Sequence, residues 1–517
     1  MSTGRPIRLL TAAGLIVGVA SALLRFQAFS QSPYANGWDG YFYLVQVRAW
    51  VETGRMHSPE ASLIYPLLRF WLWCTGDYVL MYQYCAAALA GIFTAVVLWM
   101  ALSRPRAWLL GSWALFSPQL TYFAAQYPKN LLGLVLLLAF IGSLPRITAQ
   151  QKPVRFILPF ILLIFNYFGH RMTFGLAVVY LLIWGLLSLK TVTGWRMING
   201  KSLALAGLAI GLFAVAGSLW PGLPQVADLG RLAGGWQWPP QFAPWSFISQ
   251  FGQERLSSWW RLEIVAVTAF FLFELVKTGW IALRRGKAIR QPDKQHALLL
   301  LCALLLFPFA AWSFTSAAYR FWLVFMLLAP LTWAVGNQNP AQDSSYFQQR
   351  DRWPYLGVSI VLSIAAFFSW KSYLPARHDP NYALFARVTG HTADRLGLPS
   401  CSNPPELVIA HNALAEFFTF TTGLDAMPWL PEYPIDSARL WRIAAGMHLP
   451  TVRYFAGADQ AERVQPLSSN YCLLPESVWQ HCLTRARVEG DSVYLAAATG
   501  WLNPSRERPK WLLNKKL

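Results

Sequence analysis

Long apolar segments separated by short polar ones are the feature that most constrains how this chain can fold. An apolar segment of about 17 to 25 residues is long enough to cross a bilayer as a helix. The sequence contains eleven candidates, which predicts an α-helical polytopic membrane protein with about 11 transmembrane helices. They are residues 8–28, 80–101, 107–124, 130–145, 155–169, 172–189, 202–220, 262–283, 296–314, 319–336 and 354–373.

The basic residues predict how these helices are oriented. Short cytoplasmic loops carry an excess of Lys and Arg. If the N-terminus, with Arg5 and Arg8, is cytoplasmic, every loop predicted to lie inside is basic. The inside loops contain Arg104, Arg106, Arg146, Lys152, Arg155, Lys190, Arg196, Lys201, Arg284, Arg285, Lys287, Arg290, Lys294, Arg350 and Arg352. An odd number of helices then leaves the C-terminal end outside, on the periplasmic side of an inner membrane.

Two alternatives to this interpretation carry less weight. The first segment has the layout of a cleaved signal peptide, but its apolar character continues to about Phe29, which favours a retained helix. The net charge of +19 does not indicate a nucleic-acid partner, because the basic residues lie in loops between apolar segments rather than in an aromatic-lined patch.

The charge distribution divides the chain near residue 375. Residues 1–374 contain 29 Lys and Arg against 11 Asp and Glu, whereas residues 375–517, the tail, contain 14 against 13. The tail also lacks an 18-residue apolar run, so it is predicted to be a soluble α/β domain on the outer side. Its predicted strands are 406–410, 451–455, 471–474, 482–488 and 492–498, with a helix through Phe417 after the first.

The first loop, residues 29–79, holds an acidic residue in an aromatic setting. Asp39 precedes a segment with Tyr41 and Arg48 on one face at helical spacing, and Gly54 is placed to end it. This segment is interpreted as a helix lying along the outer membrane surface. Asp39 has two interpretations, either as the N-cap of this helix or as a functional carboxylate.

The order of elements around this loop carries a family resemblance. The order is a membrane helix, the acid Asp39, a surface helix ending in Gly54, a half-length apolar segment with Tyr65-Pro66, a turn at Gly76-Asp77 and a second membrane helix. Over about residues 8–145 it resembles the GT-C glycosyltransferases, most closely the bacterial protein mannosyltransferase and aminoarabinose transferase type. The resemblance implies a sugar donor linked to polyprenyl phosphate on the outer side of the membrane, with Asp39 as the catalytic acid–base residue.

The sequence departs from this family at three positions. Gly40 stands where relatives often have a second acid, and Tyr65 stands where many have a Lys before the Pro. The second outside loop reads Tyr127-Pro128-Lys129-Asn130, without the acid that is frequent there. The residues therefore do not indicate a divalent metal, no cofactor is required, and other cations are expected to hold the donor phosphate.

Four residues are predicted to bind that phosphate. Lys129, Arg171 and Arg320 map to the outside ends of membrane helices, and His170 lies beside Arg171. Charged residues at the membrane edge are costly and therefore mark functional sites, although long side chains also serve there as interfacial anchors. Arg320 is the first candidate, because it matches the position of a phosphate-binding Arg in the family.

Aromatic residues are predicted to contact the substrate or to cover it. The Trp-rich loop, residues 221–261, contains Trp236 and Trp238, which either form a lid or belong to an aromatic belt at the membrane surface. Tyr41 and Tyr319 lie beside the candidate acid and the candidate Arg.

The predicted function is transfer of a hexose or pentose from a polyprenyl-phosphate carrier to a lipid, glycan or protein acceptor of the cell envelope. Two alternatives stay open: a polysaccharide ligase or polymerase that uses a lipid-pyrophosphate donor, and a transporter or flippase of lipid-linked glycans. Glu274 and Lys277 pair at i, i+3 within a predicted membrane helix, which gives the transporter its support.

The six cysteines divide by predicted location. Cys85 and Cys302 are expected in the cores of membrane helices. Cys74, Cys401, Cys472 and Cys482 are predicted to lie outside, and one disulfide of unspecified pairing is expected among the three in the tail.

Overall fold

The computed structural model describes residues 4–37, 39–57, 60–101, 106–144, 157–189, 258–285, 294–306, 318–334, 408–411, 416–417, 419–421 and 426–429, with single helical residues at 207, 211, 215, 219, 360, 363, 364, 367 and 386. The chain forms two compact units. The first unit comprises Met1–Gln31 and Ser58–Pro375, and the second comprises Ser32–His57 and Ala376–Leu517.

The described part of the first unit is helical. Its helices are α1 (Gly4–Phe29), α3 (Ile64–Thr75), α4 (Tyr78–Ala101), α5 (Arg106–Phe116), α6 (Pro118–Gln126), α7 (Pro128–Ser143), α8 (Ile157–Gly169), α9 (Arg171–Leu189), α10 (Ser258–Arg285), α11 (Lys294–Leu304) and α12 (Ala318–Ala334). The second unit contains α2 (Gly40–Thr53), β1 (Val408–His411) and β2 (Ala426–Trp429).

Several helices of the first unit have the length and composition of membrane helices. Among the described residues, Ala12–Phe29 and Tyr78–Met100 are long and apolar enough to cross a membrane, and the bent pair α6–α7 makes a third if it is one span. Shorter apolar helices lie at 157–169, 171–187 and 320–332. The chain is thus a helical membrane protein, whereas the number of its membrane helices and their orientation stay predictions.

The predicted helix at 107–124 is divided into α5 and α6 at Ser117. Pro118 has no N–H to continue α5, but its fixed φ suits the first position of a new helix. The Ser117 side chain caps α6 by accepting a hydrogen bond from the Leu120 N–H at 3.2 Å. After α6 the chain bends by 118° before α7. The region is therefore a broken helix rather than one continuous span.

A buried polar group stabilises the break after α5. Arg25, which is fully buried in α1, donates hydrogen bonds to the main-chain oxygens of Ala114, Leu115 and Ser117 at 2.9, 3.0 and 3.2 Å. Glu263 of α10 accepts a hydrogen bond from the Ser117 hydroxyl at 2.8 Å. The carbonyl groups left free where α5 ends are thereby satisfied without water.

Small residues allow α1 and α4 to pack closely. A Cβ atom on Gly91 would lie 2.6 Å from the Gly18 carbonyl oxygen and 2.8 Å from the Ala22 Cβ atom. Ser21 and Thr94 share a hydrogen bond of 2.9 Å across the same interface. Small side chains and short polar ones provide the contacts by which helices associate in an apolar environment.

The helices of the first loop end as the sequence predicts. Gly54 follows α2 with φ of 73°, and Gly76 follows α3 with φ of 67°. Each glycine adopts the left-handed conformation in which a helix commonly ends. Asp77 then begins α4, because its carboxylate accepts the Leu80 N–H at 2.7 Å.

The described part of the tail contains one pair of strands and one helical segment. β1 and β2 are parallel, with Val408 opposite Ala426 and His411 opposite Trp429. Residues 416–417 and 419–421 are helical. The first predicted strand and the helix after it are therefore present, whereas the strands predicted beyond residue 450, and Cys401, Cys472 and Cys482, lie outside the described residues. Cys85 and Cys302 are buried thiols, as predicted.

Candidate functional site

Three basic residues occupy the first turns of three helices in the first unit. Lys129 is the second residue of α7, Arg171 the first of α9 and Arg320 the third of α12. None of these three turns contains an acidic residue. Because a helix N-terminus carries a partial positive charge, a cation is unfavourable there unless an anion compensates it. The arrangement is chemically suited to an anion such as phosphate.

His170 lies at the junction of α8 and α9 among these cations. Its side chain is buried, with 8% of the residue exposed. Burial lowers the pKa of His170 well below its usual 6.5, and the charges of Lys129, Arg320 and Arg171 lower this pKa further. The imidazole is therefore neutral at physiological pH. Its Nδ1 atom is buried and has no hydrogen-bond partner among the described residues.

Gly133 allows α7 to approach this junction. A Cβ atom at Gly133 would lie 2.2 Å from the Thr173 hydroxyl oxygen and 2.7 Å from the His170 Cβ atom. Only glycine fits there, and Lys129 lies four residues earlier, one helical turn away. The close contact between α7 and α9 is thus what brings Lys129 next to His170.

Glu60 is a functional candidate that the sequence analysis missed. Its carboxylate forms an ion pair with Lys129 and accepts a hydrogen bond from the Tyr65 hydroxyl. The Glu60 and Lys129 side chains are only 17% and 16% exposed. The signal in the sequence was an acid, Glu60, five residues before the Tyr65-Pro66 pair.

Main-chain contacts fix the segment that carries Glu60. The Ser62 hydroxyl donates to the Gly169 carbonyl oxygen at 3.0 Å, and the Leu63 N–H donates to the Phe168 carbonyl oxygen at 3.0 Å. The segment is therefore attached to the end of α8, directly before His170.

Arg320 and Arg171 are the more exposed cations of the group. The Arg320 guanidinium carbon lies 5.7 Å from the centre of the Tyr127 ring, at the bend between α6 and α7. This cation–π contact helps to orient the guanidinium. The first unit thus brings together all four residues predicted to bind phosphate, and we call Lys129, His170, Arg171 and Arg320 the cation cluster.

The second unit contains Asp39, the predicted catalytic residue. Asp39 occupies the N-cap position of α2 with φ of −91°, but its side chain makes no capping hydrogen bond. The N–H of Phe42, in the first turn, instead donates to the carboxyl group of Glu416 from the tail. The expected capping role of the Asp39 side chain is therefore filled by another residue.

Glu416 is buried beside Asp39. Burial raises the pKa of Glu416 well above its usual 4.5, the negative charge of Asp39 raises it further, and the hydrogen bond from Phe42 opposes the shift. Its Oε2 atom has no hydrogen-bond partner among the described residues. In the sequence, the residue after Asp39 is Gly40 and not a second acid. The second carboxyl group beside Asp39 is that of Glu416, which lies more than 370 residues further along the chain.

The aromatic candidates have different surroundings. Tyr41 is buried, and its ring centre lies 4.6 Å from that of Phe417 and 5.5 Å from that of Phe420. Tyr319 lies in the first turn of α12. Trp236 and Trp238 lie outside the described residues. The face of α2 that carries Tyr41, predicted to lie along the membrane, packs against the helical segment of the tail.

Two further observations concern charged groups. The predicted i, i+3 pair is present in α10, where the Lys277 Nζ and Glu274 Oε1 atoms are 4.0 Å apart. No cluster of three or more His, Cys, Asp or Glu side chains suited to a metal occurs in the part of the chain that the structure describes.

Comparisons with known proteins identify one structural similarity. No protein-family model and no curated protein sequence matches this chain. Among solved structures, it is similar to the crystal structure of ArnT from Cupriavidus metallidurans bound to undecaprenyl phosphate. The two sequences are 12% identical, the TM-score is 0.47, and the match covers 83% of this chain and 86% of that chain.

Proposed function

We propose that this protein is a membrane glycosyltransferase that moves a sugar from a polyprenyl-phosphate carrier to an acceptor outside the cytoplasm. The observation that carries the proposal is the cation cluster, in which Lys129, Arg171 and Arg320 occupy the first turns of three helices. A phosphate is the kind of anion that cations and helix N-termini bind together. The neighbouring apolar helices suit the hydrocarbon tail of such a carrier.

The proposed reaction is a displacement at the anomeric carbon of the donor sugar. The acceptor hydroxyl or amine attacks this carbon, and the bond between it and the phosphate oxygen breaks. The electron pair of that bond leaves with the polyprenyl phosphate, whose growing charge the cation cluster stabilises. The proton of the acceptor passes to Asp39, which acts as the general base.

The residues of the cation cluster have different roles in this proposal. Arg320 and Arg171 each present a planar fork of N–H donors, which suits two phosphate oxygens at once. Lys129 acts as a point charge, and Glu60 balances that charge before the phosphate arrives. Neutral His170 adds a hydrogen bond without adding repulsion among the cations.

The first test is binding of polyprenyl monophosphate to the purified full chain in detergent. We expect Arg320→Ala to weaken binding by about 10- to 100-fold, as loss of a charge-assisted hydrogen-bonded pair implies. Arg55→Ala is the matched control, because Arg55 is exposed and lies outside the cation cluster. Unchanged affinity of the Arg320 variant would identify Arg320 as an interfacial anchor and remove it from the site.

A second measurement separates transfer from the ligase alternative. Membranes that contain the protein are supplied with sugar linked to polyprenyl monophosphate or to polyprenyl pyrophosphate, and the cell-envelope products are followed by mass. We expect a mass increase of one sugar with the monophosphate donor, and its loss in Asp39→Asn at equal protein abundance. Transfer from the pyrophosphate donor alone would contradict the proposal.

A further inference from the structure

The buried carboxyl group of Glu263 joins the two sides of the break between α5 and α6. Its Oε1 atom accepts hydrogen bonds from the Trp113 indole N–H and from the Ser117 hydroxyl, each at 2.8 Å. Trp113 lies in the last turn of α5, and Ser117 is the N-cap of α6. Glu263 itself is fully buried in α10. An acidic residue buried among apolar helices is costly, so a specific role is expected for it.

The short helix α6, which follows the break, is held at both of its ends. At its start, Ser117 contacts Glu263 through its hydroxyl and accepts a hydrogen bond from Arg25 through its carbonyl oxygen, at 3.2 Å. Near its end, the Tyr82 hydroxyl of α4 donates to the Ala125 carbonyl oxygen at 2.6 Å. All nine residues of α6 are buried. The position of the break therefore determines the position of the bend that follows α6.

The bend after α6 contributes to the cation cluster. Tyr127 lies between α6 and α7, and the centre of its ring is 5.7 Å from the Arg320 guanidinium carbon. Lys129 is the second residue of α7. The groups of a binding site must be held within about 0.5 Å of their productive positions. A shift of the bend would therefore move Lys129, and the aromatic ring against Arg320, away from the phosphate position.

We propose that Glu263 is a positioning residue that locks the break between α5 and α6 and thereby places Tyr127 and Lys129 for binding of the donor phosphate. This inference rests on the proposed function, because it requires the cation cluster to bind phosphate. Glu263 acts through the position of α6. Without its carboxyl group, two buried donors on either side of the break lose their shared acceptor, and the break has to relax.

The test compares two lipids with the same hydrocarbon tail. The purified full chain in detergent is titrated with polyprenyl monophosphate and with polyprenol, which lacks the phosphate. A general loss of structure weakens binding of both lipids, whereas displacement of the cation cluster weakens binding of the monophosphate alone. We expect Glu263→Leu, which removes the acceptor, to bind the monophosphate about tenfold more weakly and polyprenol with wild-type affinity.

Glu263→Gln is the conservative variant. Its amide oxygen accepts hydrogen bonds from the same two donors, so its affinity for the monophosphate should stay within about twofold of the wild type. Glu274→Gln is the matched control, because Glu274 is a second buried acid of α10, about three turns further along the helix. It should bind both lipids as the wild type does.

A milder substitution keeps the test decisive if Glu263→Leu does not accumulate. Trp113→Phe removes one of the two donors and keeps an aromatic ring at the same place. We expect it to bind the monophosphate about threefold more weakly, with unchanged affinity for polyprenol. Equal affinity for the monophosphate in this variant and the wild type would count against the lock.

A double variant tests whether the effect passes through the cation cluster. In Arg320→Ala the cation that contacts Tyr127 is absent, so adding Glu263→Leu should reduce affinity by a smaller factor than it does in the wild type. Three results would overturn the inference: wild-type affinity in Glu263→Leu, equal weakening for the two lipids, or the same loss in Glu263→Gln as in Glu263→Leu. An undiminished effect in the Arg320→Ala background would overturn it as well.

The positioning role and the proposed function fail in different ways. If the wild type binds the two lipids equally well, the cation cluster does not bind phosphate, and the proposed function and the positioning role fall together. If the wild type prefers the monophosphate and Glu263→Leu keeps that preference, the phosphate site stands and Glu263 is rejected as its positioning residue.

Discussion

The ion pair between Glu60 and Lys129 shows how one residue changes the interpretation of a site. From sequence, Lys129 is either an interfacial anchor or a ligand for phosphate. A snorkelling lysine keeps its charged end in water, whereas Lys129 is 16% exposed and paired with a carboxylate. The pairing therefore argues against the anchor. It also makes Glu60 the group that a donor phosphate would have to displace from Lys129.

Replacing Glu60 tests this exchange of partners. We expect Glu60→Gln to tighten binding of polyprenyl monophosphate about fivefold, or roughly 1 kcal/mol, because Lys129 no longer has to leave a carboxylate. Without lipid, the free energy of unfolding should fall by about 1 to 3 kcal/mol, because a largely buried ammonium group loses its partner. Affinity is measured by titration and stability by thermal unfolding in detergent.

Glu52→Gln is the control for this experiment. Glu52 also pairs with a cation, Arg48, at 2.8 Å, but its side chain is 52% exposed. An exposed pair at i, i+4 contributes little, so stability and lipid affinity should stay close to those of the wild type. Weaker lipid binding in Glu60→Gln would show that Glu60 supports the donor directly rather than competing with it.

At the scale of elements, close helix packing builds the cation cluster. The approach of α7 to α9 depends on Gly133, where an added Cβ would meet both Thr173 and His170. We expect Gly133→Ala to lower the free energy of unfolding by about 1 to 3 kcal/mol through overpacking. Lipid-phosphate affinity should fall at the same time, since α9 must move away from Lys129. Thermal unfolding and lipid titration measure the two effects.

Gly175 provides a matched control within α9. An added Cβ there has no neighbour within 4 Å among the described atoms. Gly175→Ala should be neutral or slightly stabilising, because alanine has the higher helix propensity. Equal effects at Gly133 and Gly175 would mean that helix propensity, and not contact between α7 and α9, explains the change.

Element boundaries were predictable where the signal is local. Gly54 and Gly76 end their helices as predicted, and His170 separates α8 from α9. The division at Ser117 was missed because the apolar pattern runs through it. Pro118 was the local signal of this division. The carbonyl groups at the end of α5 accept hydrogen bonds from Arg25, a residue about 90 positions away.

At the scale of the whole molecule, the sequence identified candidate site residues that the structure brings together, but not all of their partners. Positive charge at the ends of apolar segments identified Lys129, Arg171 and Arg320, because a charge at the membrane edge is unusual in any fold. The partner carboxylates Glu60 and Glu416 were missed, because ordinary acids in polar segments acquire meaning only through tertiary contacts. Glu416 illustrates this best, since folding alone places it at the start of α2.

The unit that contains Ser32–His57 of the first loop and the tail is expected to have a stability that depends on pH. In the folded chain the pKa of Glu416 is raised well above its usual 4.5. Between these two values the folded state holds a proton that the unfolded state has lost, so stability falls as pH rises. The nearby charged groups are Asp39, which raises this pKa, and Arg48, which contacts the same tail segment. We therefore expect α2 to be less protected at pH 8 than at pH 5.

Hydrogen exchange of the α2 peptide, corrected for the intrinsic effect of pH on exchange, measures this dependence. Glu416→Gln cannot ionise and should flatten the profile between pH 5 and pH 8. Thr421→Ala leaves the carboxyl pair intact and should keep the wild-type slope. Parallel profiles for wild type and Glu416→Gln would mean that another group titrates, and an increase of protection with pH would contradict the raised pKa itself. Because this measurement needs neither donor nor acceptor, it tests the carboxyl pair independently of the proposed reaction.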